Sequence, residues 1–289
     1  MNEKNLEYLK KLLENLGFGK KLHDVLEAAI RSGKQGFTIG IATKMRPAES
    51  KDVNDPRTEH LDFRLNFNRS TESDMYFLNT YKVALTKNGD PIVREQTFDL
   101  TRDHWITVLQ AYKLLSGLSF EKEIYPRSKN ENVQTGDGQQ QKIPVWFKLS
   151  LDITDAYGNH PLRTFRPEYG YDLAETIGRY PFKELDTPEK LQQALTTLRN
   201  GNYYHGQMII GKKSVPVSVG ANPQIKNLDV YDKNMIEIRD DVIFPERAKA
   251  KKAEQEQAKE ISKDSRQEQK VEQPWVQEAE PEVAQRRGR

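Results

Sequence analysis

Cysteine is absent from the 289 residues. That excludes a disulfide framework, thiolate metal ligation and a cysteine nucleophile. Long apolar runs are absent too: none approaches the roughly 18–20 residues that span a bilayer, so no membrane contact is expected. The opening segment MNEKNLEYLKKLL carries charges among its apolar positions and lacks the continuous apolar stretch of a signal peptide. A cytoplasmic location is the expectation. A charge excess of either sign is also missing, with 45 Lys and Arg against 43 Asp and Glu. Proteins drawn to nucleic acid by overall charge are clearly basic, because phosphate contacts dominate their affinity. Only a local basic patch is open to this chain. The five histidines, His23, His60, His104, His160 and His205, form no His-x-x-x-His pair and no HExxH motif, so nothing in their spacing points to a metal or a catalytic triad.

What is present is apolar patterning. Leu6, Leu9, Leu13 and Leu16 recur at helical spacing, as do Leu22, Leu26, Ala29 and Ile30, with Gly17-Phe18-Gly19 between them. This predicts an N-terminal helix pair. Phe37, Ile39 and Ile41 then alternate with polar or small residues, and Leu61, Phe63, Leu65 and Phe67 alternate with Asp62, Arg64 and Asn66. A period of two predicts strands with one buried and one wetter face. Met75 to Leu85 continues the pattern, Asn88-Gly89-Asp90-Pro91 turns, and Ile92 to Leu100 returns. Trp105, Leu109, Tyr112 and Leu115 predict a helix capped by Thr101 or Asp103 and stopped at Gly117.

Residues 125–141 are polar and read as a loop or linker. The order then repeats. Val145, Phe147, Leu149, Leu151 and Ile153 alternate, Tyr157-Gly158-Asn159 turns, Leu162 to Phe165 returns, and a helix opens at Asp172 with Glu175 in capping-box position. Phe98 and Phe165 occupy equivalent places, and Trp105, Leu109 and Tyr112 match Leu173, Ile177 and Tyr180, which suggests a duplicated unit. A helix capped by Thr187 with Pro188 in its first turn follows. A meander over Tyr203–Ile210, Ser214–Val219 and Ile225–Tyr231 closes the fold. The predicted class is α+β: two similar strand–turn–strand–helix halves of largely antiparallel sheet behind an N-terminal helix pair. The expected division is 1–124, a linker at 125–141, 142–245, and a charged tail at 246–289 that is disordered or helical only in its first half.

Motifs that suggest chemistry fail on context. Gly206 to Lys212 fits the first seven positions of a phosphate-binding loop, but Lys213 stands where the hydroxyl belongs and Pro216 where the helix should run. It reads as a hairpin turn. Asp152, Asp155 and Asn159 lack the alternation of a calcium loop and are ordinary turn formers. Asn68-Arg69-Ser70 is a glycosylation sequon, idle in a protein that is not secreted. Asp24 and Glu27 make the second helix a poor reader of a DNA groove. The expectation is therefore a non-enzyme without cofactor or metal.

Two features remain for binding. The outward strand positions Arg64, Asn66, Lys82, Trp146 and Lys148 combine phosphate-contacting and base-stacking side chains, the mixture a single-stranded nucleic-acid surface needs. Pro274-Trp275-Val276, an apolar anchor among acidic residues, is a motif that a protein partner's groove can hold.

Several local strings carry a resemblance. Asp74-Met75-Tyr76-Phe77, Tyr169-Gly170-Tyr171-Asp172-Leu173, Phe182-Lys183-Glu184-Leu185, Ala221-Asn222-Pro223-Gln224-Ile225-Lys226 and Val230-Tyr231-Asp232 resemble an uncharacterised domain family of Bacteroidota, frequently encoded on conjugative and other mobile elements. The likeness spans most of residues 5–238. It implies an accessory role in mobile-element biology and brings no catalytic residues; action through protein–protein contacts is the expectation that goes with it here.

Overall fold

The structure is a computed structural model that describes residues 2–90, 92–102, 104–125 and 141–247. It divides after Ile238 into two compact units. The first holds nearly all the regular structure, and the class is α+β with three antiparallel sheets.

Helix α1 (Glu3–Leu16) starts where the Asn2 side chain accepts the backbone N–H of Asn5, and it stops at Gly17 in the left-handed region at φ +96°. Its leucine stripe is buried, as are Leu22, Leu26 and Ile30 along α2 (His23–Arg31). Both helices pack on the first sheet, formed by β1 (Gly36–Met45), β2 (Glu59–Arg69), β3 (Tyr76–Thr86) and β4 (Val93–Asp99) in sequential antiparallel order. Ile39, Leu61, Phe63, Leu65, Phe67, Tyr81, Val83, Leu85 and Phe98 fill its inner side. Fully burying such a side chain stabilises by about 1.5–3 kcal/mol, and the aromatic ones also meet edge-on. Phe18 lies 5.3 Å from Phe63 at an interplanar angle of 88°, a favoured T-shape. The alternation read from the sequence is therefore the alternation of the sheet.

The next helix, α3 (Val108–Leu115), differs from its expected form. Its cap is Thr107, in a capping box with Gln110. Neither expected cap serves: Thr101 is in a turn bonded to Asp99, and Asp103 lies outside the described residues. Trp105 precedes the helix and is 44% exposed. His104 and Trp105 have φ of +54° and +55°, an uncommon conformation for such residues. The Lys122 Nζ holds it by donating to both of their carbonyls, at 2.8 and 3.0 Å. Because Leu109 is exposed as well, the proposed matching of Trp105 and Leu109 to Leu173 and Ile177 fails, although the strand–turn–strand–helix order does occur twice.

Residues 125–141 do not separate two halves. The chain enters them from β5 (Phe120–Ile124), a strand the sequence reading missed, and leaves into β6 (Ile143–Leu149), which pairs antiparallel with β5 from Phe120↔Phe147 to Ile124↔Ile143. The stretch connects neighbours of one sheet, whose third strand is β7 (Leu162–Phe165). β6 ends at Leu149; Leu151 and Ile153 belong to the turn that follows.

Helix α4 (Leu173–Gly178) is capped by Asp172, and α5 (Pro188–Arg199) by Thr187, both as expected. The third sheet contains β8 (Tyr204–Ile210), β9 (Lys213–Asn222) and β10 (Asn227–Tyr231) in the order β10-β9-β8. The Gly211-Lys212 segment is a hairpin turn between β8 and β9. Gly201 after α5 has φ +69°, and a Cβ there would lie 2.9 Å from the Phe120 Cβ and the Ser119 carbonyl, so a side chain is excluded twice over. The described part of the second unit contains α6 (Asp240–Ile243), beyond which Arg247 lies over the Phe244 ring. Most of the charged tail, with Pro274, Trp275 and Val276, is outside the described residues.

One buried polar contact fixes α1 to the first sheet. Asn5, 8% exposed, donates from Nδ2 to the Tyr76 carbonyl at 3.0 Å and accepts the Tyr76 N–H at 2.8 Å. Asn5→Leu would leave both backbone groups unpaired, and such a group costs about 1–3 kcal/mol. Urea unfolding followed by circular dichroism should show a loss of about 2–6 kcal/mol, one such cost for each of the two groups, with an unchanged slope.

Candidate binding surface

The five residues expected on one open sheet face separate into two groups. Arg64, Asn66 and Lys82 do share the outer face of the first sheet, where Arg64 pairs in register with Lys82 and with Gly40. Trp146 and Lys148 do not join them. Trp146 is 4% exposed and meets the Tyr171 ring at 5.3 Å in a T-shape. Lys148 is largely buried, its ammonium donating to the Gly117 carbonyl at 3.1 Å and to Asp229 at 3.4 Å. The reason is that the middle sheet is covered on both sides. Val145, Phe147 and Leu149 face the main core, while Trp146 meets Tyr171 just before α4 and Lys148 reaches Asp229 of the third sheet. A Trp in that position packs, and no base can stack on it.

The central rows of the outer face of the first sheet are built from small and charged residues, with exposed Phe77 and Val93 toward its ends. β1 contributes Thr38, Gly40, Ala42 and Lys44; β2 contributes His60, Asp62, Arg64 and Asn66; β3 contributes Thr80, Lys82, Ala84 and Thr86. The register arranges them in rows across the strands. Gly40, Arg64, Lys82 and Thr97 form one row, and Ala42, Asp62, Ala84 and Glu95 form the next. Lys82 reaches diagonally to Glu95 at 2.6 Å, and the Thr38 hydroxyl donates to Asn66 at 2.9 Å. Gly40, Ala42 and Ala84 leave a shallow groove of about 500 Å³ bounded by Asp62, Arg64, Lys82 and Glu95. Sequence reasoning found the cations of this face and missed the small residues and acids beside them, although Asp62 already stood on the wet side of the alternation.

A second concave region lies where the loop joining β1 to β2 approaches the third sheet. A cleft of about 550 Å³ is lined by Glu49, Arg57, Glu59, Arg94, Tyr203 and Tyr231 among others. Its polar groups are engaged with one another. Glu59 is 3% exposed; its carboxylate accepts the Tyr112 hydroxyl at 2.6 Å, and burial, then that carboxylate, push the phenol far up. Arg57 grips Asp55 at 2.7 Å and holds that carboxyl well below the usual range. Burial, with help from Asp229, raises Tyr231 to about 12. These phenols stay protonated at neutral pH, and Tyr112 serves as a hydrogen-bond donor.

His205 places Nδ1 2.8 Å from the Ser218 hydroxyl, the spacing of a nucleophile and its base. Ser218 is only 5% exposed within β9, and among the described residues no carboxylate bonds the other imidazole nitrogen. The pair lacks both access and an orienting acid. Among the described residues, no group of three or more His, Asp or Glu is placed to hold a metal ion, and no helix is long and apolar enough to cross a membrane.

Comparison of the chain with protein-family models, curated proteins and solved structures finds no match.

Burial, and secondarily the charge of Lys51, lowers the His205 pKa to about 4. The unfolded chain, with an ordinary histidine near 6.5, then binds the proton more readily than the folded one. Stability contributed by this site therefore rises with pH between about 4 and 6.5 and is flat above. Chemical denaturation at pH 5.0 and 7.0 should show a smaller difference for His205→Gln than for the parent chain.

Proposed function

We propose that the protein is a non-enzymatic, cytoplasmic accessory module of a mobile-element system, and that it works by docking a folded protein on the outer face of the sheet β1–β4. The observation that carries this reading is the makeup of that face: four exposed strands, side chains of small volume along β1 and β3, and charges of both signs in adjacent rows. A flat surface with short side chains and mixed charge lets another folded surface approach closely while charge selects its partner. The mobile-element setting rests on the strings at Asp74–Phe77, Tyr169–Leu173 and Ala221–Lys226.

The competing single-stranded nucleic-acid reading is weaker. It needed Trp146 as a stacking ring, and that ring is buried. What remains beside Arg64 and Lys82 includes Asp62 and Glu95, which repel phosphate.

The reading is tested by tagging the full chain, purifying it from its host with nuclease treatment, and comparing it with Ala84→Arg, which fills the groove without touching the core. A stoichiometric protein partner retained by the parent chain, and reduced at least tenfold by Ala84→Arg at unchanged circular dichroism, is the expected result. Retention by Ala84→Arg with loss on truncation after Pro245 would transfer the contact to the tail and overturn the assignment to the face.

A further inference from the structure

The charges on the outer face are arranged so that one particular surface complements them. Arg64 and Lys82 are directly opposite one another on β2 and β3, and like charges so placed are destabilising. Lys82 is drawn off by Glu95; among the described residues Arg64 has no carboxylate within ion-pair distance. An anion is therefore wanted above Arg64. One row away on the same strand, Asp62 has the converse need: it is exposed and likewise has no cation within that distance among the described residues.

We infer that the occupant of this face is a second copy of the chain, packed face to face about a two-fold axis that runs across the strands between the Arg64 row and the Asp62 row. This rests on the reading that the face is a docking surface, and names its partner. A two-fold contact applies the same patch to itself, so its charges must be self-complementary. An axis along the strands between β2 and β3 fails, because it sets Arg64 against Lys82 of the other copy. An axis across the strands succeeds. It reverses the rows, so Arg64 of each copy meets Asp62 of the other, and the contact occurs twice. The same operation sets the Lys82 stem over Ala84 and brings Gly40 against Ala42. The small residues are thus found opposite the places where room is required.

The dimensions agree. Four strands at about 4.8 Å spacing, paired over about eight residues at about 3.4 Å each, present roughly 500 Å² in projection. Side-chain relief raises the accessible area toward the ~800 Å² per partner of a standard specific interface. Sheets packed this way lie about 10 Å apart, a spacing that Gly40, Ala42 and Ala84 permit and larger residues would not.

The test is sedimentation equilibrium of the full chain from about 1 to 200 μM. The parent chain should approach twice its 33.5 kDa mass. Arg64→Asp and Asp62→Arg should each raise the dimer dissociation constant by at least about tenfold, because symmetry breaks the contact twice. The combined Asp62→Arg, Arg64→Asp chain should recover it, since the swap restores both pairs. Both positions are exposed, so the circular dichroism spectrum should be unchanged in all three. A parent chain that stays monomeric throughout overturns the inference, as does a single variant that dimerises normally or a folded double variant that does not recover. A monomeric parent whose Ala84→Arg variant still loses a different protein would sink the self-association alone and leave the docking face standing.

Discussion

Strand β6 is buried on both faces, and that double burial constrains how everything else in the first unit can be arranged. Phe147 stacks on Phe120 at 5.4 Å within the main core, while Trp146, the next residue back, points the opposite way and meets Tyr171. A strand with apolar neighbours above and below must lie between two layers. α3 and the main core lie on one side; Tyr171, just before α4, and Asp229 of the third sheet lie on the other. Residues 2–238 therefore form one compact unit with two apolar layers sharing a middle sheet. The outer face of β1–β4 is left open, its central rows holding polar and small residues.

The same layering explains where the polar side chains went. Joining sheets at their ends brings backbone groups out of water, and each needs a partner. Asn159 accepts the Thr97 N–H at 2.8 Å and Gln96 accepts the His160 N–H at the same distance, tying the β6–β7 turn to β4. Arg94 donates to the Leu115 carbonyl at 2.9 Å, and the Ser119 hydroxyl donates to the Ala221 carbonyl. Lys148, between Asp229 and the end of α3, is a buried cation paired with a carboxylate and a carbonyl, as a charge in such a place must be. Side chains that in isolation resemble catalytic material, such as Glu59, Tyr112 and His160, are thus used to hold layers together.

How much of this could be read from residues alone depends on whether the burial of an element is one-sided. β2 alternates strictly, and β3 alternates on either side of one register shift opposite Asn66 and Phe67, because one face meets helices and the other meets water, so most of their wet residues were evident. The Val145-Trp146-Phe147 run was itself the sign of a strand covered twice, and it was passed over in favour of the alternation of its neighbours. β5 was invisible because five residues, Phe-Glu-Lys-Glu-Ile, carry only two apolar positions and gain their strand character from pairing with β6 across a long connection. The left-handed pair at His104 and Trp105 exists because Lys122, eighteen residues later, holds it. Non-local contacts of that kind leave no local pattern.

The open face is different in kind, since its pattern was present in the sequence but its meaning was not. Arg64 and Lys82 read as a basic patch as long as only cations are counted. Register changes the sum. Asp62 and Glu95 occupy the adjoining row, and Gly40, Ala42 and Ala84 remove the bulk that would otherwise shield the strands. A polyanion would gain two contacts and suffer two repulsions there. A folded surface with the opposite row order would satisfy all four charges at once and displace little more than the water above three small side chains. The constraint that buried Trp146 elsewhere thus also leaves this face without a tryptophan on which a base could stack.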